Sequence, residues 1–414
     1  MTPTDTISLL ITGVFVLIII SYYVLLFLPT RNRKAVQRKC VSVLIPARNE
    51  AAYIADCIAS VQQATFAGKK QIIVVNDAST DATKKILEQQ KGILVLTNTT
   101  HKGKAYSLNR ALKKATGDVI AIVDGDSTIQ PDALQNIAAT LTGDVVGAGG
   151  VVRCKNQRFI NPWVHIELIY NSLLRSLFAK VNANIVTPGP LSMYCAKELR
   201  EIGGFSTDGF SEDINVAVHL IRKGHHVGFC ETAIADTNMP TDVKGILRQR
   251  TRMARGMMHV FKKHLQVNTT IIDLYTLPLF VFTYVQAVVM GCLMLYKIIG
   301  GYITYYAAKG VFLSVDVLRF FLEWLTVVGF VKWTWSVVVG IEPLTILSIV
   351  GIVSTLLTYP LYVLALVRYD SIRLRHLVTI ACMFPFWLFL MCVSIICIPE
   401  LFNREQYNRW KKNE

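Results

Sequence analysis

No two of the nine cysteines in this 414-residue chain stand at CxxC or other metal-ligand spacing, and four of them (Cys292, Cys382, Cys392, Cys397) sit in apolar runs. Neither a zinc site nor a disulfide framework is expected, and a reduced compartment suits the soluble part. Acid is the scarcer charge, 28 Asp and Glu against 43 Lys and Arg, for a net charge of +15. Such a balance suits nucleic acid, anionic lipid headgroups or a polyanionic ligand. The P-loop pattern is missing, so nucleoside triphosphate hydrolysis is not implied. No positive side chain precedes the first apolar run, residues 7–28, and no small-residue cleavage pattern follows it. That run is expected to be an anchor and not a cleaved leader.

Apolar residues, by contrast, are abundant: they make up 52% of the chain, with a mean hydropathy of +0.42. Part of the chain should lie in lipid. Residues 7–28, 274–299, 343–367 and 377–398 each suffice to span a bilayer. Residues 320–339 fit an interfacial or tilted segment or a span lining a polar path, since they include Glu323, Lys332 and three tryptophans. Three C-terminal spans are preferred to four. Arg31, Arg33, Lys34, Arg38 and Lys39 follow the first run directly. The positive-inside rule puts the N-terminus outside and the following region in the cytoplasm.

Between Cys40 and Asp236 the texture is that of a soluble α/β domain. Short β-branched runs at 41–45, 72–75, 93–96, 119–123 and 145–152 alternate with helical composition at 51–63, 81–90 and 104–115. That rhythm predicts a mainly parallel, Rossmann-like sheet with helices on both faces and ligands at the C-terminal ends of its strands. Polar clusters fall at three such ends: Arg48-Asn49-Glu50, then Asn76-Asp77-Ala78-Ser79-Thr80-Asp81, then Asp124-Gly125-Asp126. Asn49, Ser79 and Thr80 also suit helix caps.

Asp124-Gly125-Asp126 delivers two carboxylates to the sheet edge, with a glycine that lets the backbone turn tightly between them. An oxygen-ligated divalent ion can bridge such a carboxylate and a diphosphate; a solvated turn is the plainer alternative. Gly103-Lys104 opens a helical stretch and offers backbone N–H groups and an ammonium to a phosphate. His101 reads as loop. Thr187-Pro188-Gly189-Pro190-Leu191-Ser192-Met193-Tyr194 predicts a rigid turn against which a ligand can bind closely. Ser211-Glu212-Asp213 precedes a helical pattern from Ile214 to Lys223, and either a cap or a functional acid fits there. Residues 244–263 hold seven Lys and Arg and no acid, on a basic amphipathic helix suited to the headgroup layer. Gln249, Arg252 and Met253, at i, i+3 and i+4, share one face of it. Because apolar spans follow at once and no nucleic-acid module precedes, membrane is favoured over nucleic acid as its partner.

In this order the motifs resemble those of membrane-integrated family 2 glycosyltransferases with a GT-A domain, the group of poly-N-acetylglucosamine, hyaluronan, chitin and cellulose synthases. The resemblance spans nearly the whole chain. It implies an anchor (1–30), a cytosolic GT-A domain (31–240), an interfacial amphipathic helix (241–268), a C-terminal membrane region (269–400) and a polar tail (401–414). The membrane would be the plasma or inner membrane.

The resemblance also implies roles. Arg48, Glu50 and Asp77 would hold the uridine and Lys104 would approach the diphosphate; Ala47, Gly125 and Arg250 would also contact the UDP donor, and Gln249 and Arg252 would line the acceptor-side and diphosphate-side walls. Asp124 and Asp126 would ligate Mg²⁺ or Mn²⁺. Asp213, paired with Glu212, would be the base that deprotonates the acceptor, and Gly189, Pro190, Leu191, Ser192, Gln249 and Met253 would receive that acceptor. Expected partners are a UDP-sugar, a polysaccharide or lipid acceptor, membrane lipids and, where one is needed, an accessory membrane subunit. Two positions depart from the family pattern: Met253 stands where the family has Trp, and Cys195-Ala196 where Arg often follows Tyr194. An indole offers a sugar a flat face that a thioether does not, so these departures bear on acceptor handling more than on donor chemistry.

Overall fold

A 25-residue apolar helix, α1 (Pro3–Phe27), opens the computed structural model, which describes residues 2–29, 38–158, 160–265 and 270–402. There follow β1 (Cys40–Ala47), α2 (Ile54–Gln63), β2 (Lys69–Asn76), α3 (Thr83–Gln89), β3 (Leu94–Thr97), α4 (Lys104–Leu112) and β4 (Val119–Ile122). Next come β5 (Ser127–Ile129), α5 (Ala133–Thr140), β6 (Val145–Cys154), α6 (Asn161–Ala179), β7 (Ser192–Cys195), α7 (Ala196–Glu201), α8 (Glu212–Arg222) and β8 (His226–Thr237). Helix α9 (Val243–His264) and a π-turn (Ile272–Thr276) lead to α10 (Leu277–Lys309), α11 (Val315–Leu325), α12 (Val327–Val338), α13 (Ile346–Tyr369), α14 (Leu374–Ala381) and α15 (Phe384–Cys397). The chain forms two compact units, one of Leu28–Leu277 with Pro399–Glu414, the other of Met1–Phe27 with Pro278–Ile398.

In the first unit eight strands form one sheet in the order β3-β2-β1-β4-β7-β6-β8-β5. β1 is central; Val43, Leu44 and Ile45 are fully buried, each worth about 1.5–3 kcal/mol of apolar burial. β1, β2, β3 and β4 run parallel, with Val41 opposite Val119 and Ala47 opposite Asn76. Successive strands go to one side of β1 and β4 goes to the other, so the crevice beyond the ends of β1 and β4 is the switch point where such sheets bind ligands. Residues 192–194, expected within the turn, instead form strand β7, antiparallel to β4 with Ser192 opposite Ile122. An antiparallel strand begins where its partner ends, which carries the Thr187–Leu191 loop to the crevice. β8 ends there too, with Thr237 opposite Ser127.

In the second unit α1 packs on α13, with Ile19, Tyr22 and Leu25 buried and Tyr23 Oη donating to Leu357 O at 2.9 Å. Among the described residues four helices are long and apolar enough to cross a membrane: Pro3–Phe27, Ile272–Lys309, Ile346–Tyr369 and Phe384–Leu401. The fourth was expected as one run, 377–398. It is broken between α14 and α15, where Pro385 stands at the first turn of α15 and cannot continue a preceding helix. Residues 320–339 form parts of a helical hairpin. Thr326 ends α11 and caps α12 by accepting from Val328 N, and Glu323 pairs with Lys332 (2.8 Å) across the turn and with Arg319 (3.0 Å). The expected charges thus neutralise one another. Gly291 lies where a Cβ would overlap Met391, so a small residue permits the α10–α15 approach. Arg31, Arg33, Lys34 and most of the polar tail lie outside the described residues.

Candidate active site

The first two polar loops are stapled to each other. Asn49 has φ +53°, donates its N–H to Ser79 Oγ (3.1 Å) and accepts from Thr80 N (2.9 Å); Glu50 N donates to Thr83 Oγ1 (2.9 Å). Asn49, Ser79 and Thr80 are therefore not helix caps; the N-cap positions of α2 and α3 are Tyr53 and Ala82, without side-chain bonds. Asp77, 1% exposed, accepts at Oδ1 from Asn98 Nδ2 (2.7 Å) and Lys102 N (2.9 Å), and at Oδ2 from Gly103 N (2.8 Å) while His101 Nδ1 lies 2.7 Å away. A carboxylate has about four acceptor positions. All are filled from within the protein, so Asp77, expected to touch uridine, here shapes the loop that starts α4. His101, read as plain loop, is one of its partners. Arg48 lies beside them, 9% exposed, its Nη1 3.5 Å from Asp77 O.

Gly103, with φ +92°, turns the chain into α4 and aims Lys104 across the crevice. Its Nζ lies 2.7 Å from Asp124 Oδ1 and 3.1 Å from Glu212 Oε1, so one ammonium joins the carboxylate after β4 to the pair opening α8. Burial works against that charge, but Asp124 and Glu212 outweigh it and hold the pKa of Lys104 well above its usual value. Burial pushes Asp124 up; Lys104 opposes the shift and the Asp126 carboxylate adds to it. Asp213 rises to about 7, through burial first and the like charge of Glu212 second, with Lys104 acting in the other direction. Glu212 and Asp213 occupy the first turn of α8, and Asp213 Oδ1 accepts from Ile214 N at 2.9 Å. A general base works best with a pKa near the working pH, and this environment brings a carboxylate there.

Two glycines set the closeness of the crevice. A Cβ on Gly189 would overlap both the Lys104 ammonium and the Asp124 carboxylate, and one on Gly125 would crowd Glu50 Cγ and Pro46 O. Gly189 and Pro190 are half-buried at the crevice. Leu191 and Ser192, expected against the acceptor, are 0% and 1% exposed and belong to the sheet core, because β7 starts there. Tyr194 Oη donates to Thr187 Oγ1 (2.6 Å), which donates to Asp213 O (3.1 Å), fixing this turn to the α8 start.

The basic helix α9 joins the same edge. Gln249 Nε2 faces Met239 Sδ (3.2 Å), Arg252 is half-buried, and Met253 is 52% exposed. Arg250, expected on the donor side, is 5% exposed and makes a two-pronged pair with Glu167 of α6 (Nη1–Oε1 3.0 Å), a structural tie between helices. Gly256 admits Ser211 and Phe210, and Gly209, with φ +80°, admits the His259 ring, so α9 is seated on the turn before Glu212.

Sequence reasoning missed Thr237 and Asn238. Thr237 Oγ1 lies 3.4 Å from Asp126 Oδ1, and Asn238 holds Asp126 O through Nδ2 (3.0 Å) and its backbone N (3.1 Å). A polar triplet, Asp236-Thr237-Asn238, closes β8, but the stretch before it (residues 228–235) lacks the β-branched run that signalled the other three loops. Cys57, whose thiol donates to Asp124 O at 3.4 Å, carried no such signal.

Residues 42–198 match the profile described as Glycosyl transferase family 2. The chain is 28% identical over 239 residues to a probable glycosyltransferase, YdaM, of Bacillus subtilis (54% of this chain, 57% of the relative). It is 29% identical over 238 residues to an N-acetylglucosaminyltransferase of Mesorhizobium japonicum (52% and 55%). With the poly-beta-1,6-N-acetyl-D-glucosamine synthase of Staphylococcus aureus the figures are 26% over 225 residues (52% and 54%). The chain thus spans about half the length of these curated relatives. A solved mannosyltransferase of Pyrobaculum calidifontis, in complex with GDP-Man and Mn²⁺, shares the fold with a TM-score of 0.59 at 18% identity, over 88% of this chain and 98% of that one. Residues 42–198 are therefore similar to a family 2 glycosyltransferase domain, and the chain shares the fold of the solved mannosyltransferase. Asp213, Gln249 and Arg252 lie beyond the matched segment, so their parts rest on geometry.

Proposed function

We propose that this domain makes the chain an inverting glycosyltransferase that moves a sugar, with UDP-N-acetylglucosamine the favoured donor, onto a growing β-linked polysaccharide delivered across the membrane. The carrying observation is the convergence of Lys104, Asp124, Glu212 and Asp213 within one crevice, with Gly189 leaving room beside them. The names of the relatives favour N-acetylglucosamine. The multi-pass, plasma-membrane location with a cytosolic catalytic unit rests on the four long apolar helices and on the basic residues after the first.

In this reading Asp213 takes the proton of the acceptor hydroxyl. The hydroxyl oxygen attacks the anomeric carbon from the face opposite the diphosphate, the bond from that carbon to the phosphate oxygen breaks, and its electron pair leaves with UDP. Attack from the opposite face inverts the anomeric configuration. Lys104 turns from its carboxylates to meet the developing diphosphate charge, which a cation in a partly buried crevice stabilises. Asp124 and Asp126 suit Mg²⁺ or Mn²⁺: both are oxygen donors at a tight turn, and Asp124 already rests against a cation, the Lys104 ammonium. Such an ion, when bound, would offset diphosphate charge. Arg48, Glu50 and the Asp77 loop frame the uridine side, and Gln249, Arg252 and Met253 the acceptor side.

A second reading, addition of one sugar to a membrane lipid, is favoured by Met253: its exposed thioether gives a polymer no flat stacking face. UDP release by the purified chain in nanodiscs, across UDP-GlcNAc, UDP-Glc, UDP-Gal and UDP-GlcUA with Mg²⁺ or Mn²⁺, tests the proposal. Sustained metal-dependent release with one donor is expected, and product size then separates polymer from single addition. UDP binding without release from any donor would leave a nucleotide-binding scaffold as the reading.

A further inference from the structure

Away from the crevice, the far ends of α8 and α9 meet in a buried polar chain that the transfer chemistry does not use. His264, the last residue of α9, is 2% exposed, and Asn215, on the second turn of α8, is 1% exposed. Arg222 Nη1 reaches His264 Nδ1 at 3.2 Å, while its Nη2 donates to His264 O (2.8 Å) and to Asp273 Oδ1 (2.7 Å). His264 Nε2 lies 2.7 Å from Asn215 Oδ1, and Asn215 Nδ2 donates to Ser211 O at 2.8 Å. Asp273, in the π-turn that leads in sequence into α10, also accepts from Thr270 Oγ1 (2.5 Å).

Only one proton arrangement satisfies this chain. A guanidinium has donors alone, so His264 Nδ1 must accept, and the single imidazole proton sits on Nε2. It donates to Asn215 Oδ1, which leaves the amide N–H for the Ser211 carbonyl. Turning the amide over would set donor against donor at His264 and acceptor against acceptor at Ser211. Burial, then the Arg222 charge, then His219, Lys263 and His259 push His264 down to about 4, so it stays neutral at physiological pH. With both His264 ring nitrogens and both Asn215 amide atoms paired, this buried chain fixes geometry tightly, because the flipped alternative leaves desolvated polar groups unpaired.

Ser211 is the residue before Glu212 and Asp213, and the Gly209–Ser211 turn is the one on which α9 is seated. We propose that His264 is a positioning residue: through Asn215 it locks the Glu212–Asp213 turn to the end of α9 and to the π-turn before α10, so that the base is aimed only when those elements are docked. The catalytic part of this inference rests on the reading of Asp213 as the base; the lock itself does not.

The test uses the full chain in nanodiscs with hydrogen exchange and steady-state UDP release side by side. His264→Phe keeps a ring of similar size without either nitrogen. It is expected to raise amide exchange at residues 211–215 about tenfold. It should also lower kcat about tenfold, with the donor KM held within about twofold. His264→Gln, whose Oε1 and Nε2 can take the places of Nδ1 and Nε2, should restore both. Asn215→Leu should reproduce the Phe variant with His264 intact, and decides the matter if His264→Phe does not fold. Unchanged exchange in both loss variants, or a Gln variant no better than Phe, overturns the lock. The exchange pattern in a wild-type chain that releases no UDP would leave the lock standing and remove the transferase reading instead.

Discussion

The two walls of the crevice are built differently. On the β1–β2 side the polar side chains are spent on one another: Asn49 on Ser79 and Thr80, Asp77 on Asn98, His101 and two backbone N–H groups. Where Lys104 of α4 meets α8 and α9 they are held in adjustable states. Lys104 is shared between two carboxylates, Asp213 sits near pH 7, Gln249 faces a thioether, and Met253 projects from its helix. A pre-organised wall suits a ligand that is always the same, as a nucleotide is, since ordering is complete before binding. An adjustable wall suits the side where protons move and acceptors vary.

Asp213→Asn should break the contrast most sharply. It keeps the shape but removes the base, so turnover is expected to fall about 10²–10⁴-fold while UDP affinity, measured by calorimetry, stays within a factor of two or so. Full turnover in that variant would move the base elsewhere. Next in size is Arg250→Ala, which strands the buried Glu167 carboxylate. A loss of about 3–5 kcal/mol in folding stability is expected, read by denaturant unfolding of the soluble unit's signal. A selective loss of donor affinity with normal stability would instead return Arg250 to the nucleotide.

The pH profile sharpens the comparison further. A base must be unprotonated to act, and burial with the Glu212 charge raises Asp213 to about 7. The rate should therefore be low in mild acid, rise through neutrality and level off above it. Glu212→Gln removes the like charge, so the rise should move to lower pH; an unmoved midpoint would mean that another group governs it. The smallest effect is expected from Met253→Trp, which gives the acceptor side a flat face. Product length should change more than the initial rate, and an unchanged product distribution would place Met253 away from the acceptor.

Much of the β1–β4 half was legible because its signals are local. A β-branched run ending in a polar cluster implies a strand whose end meets solvent, and parallel strands put all such ends on one edge. The placement of Asp124, Lys104 and Asp213 at the crevice was legible in this way or from their helix starts. Leu191 and Ser192 were misplaced because a short strand following a Pro-Gly turn has no distinctive period. Arg250 was misplaced because helical spacing gives its face but not what packs there. The break at Pro385 and the Glu323–Lys332 turn were hidden by apolar composition, which records lipid preference and not helix boundaries.

By itself the sequence determined the α/β alternation, the apolar helices and the carboxylates and lysine that face the crevice. These follow from the periodicity of strands and helices and from which side chains prefer loops. Only the tertiary structure decided that Asp77 is consumed by its own loop, that Arg250 ties α9 to α6, and that His264 reaches Asn215 from the far end of another helix. Each is a choice among partners distant in the chain. A polar side chain's role depends on which donors and acceptors the packed core brings within hydrogen-bond reach, and local sequence does not encode that distance.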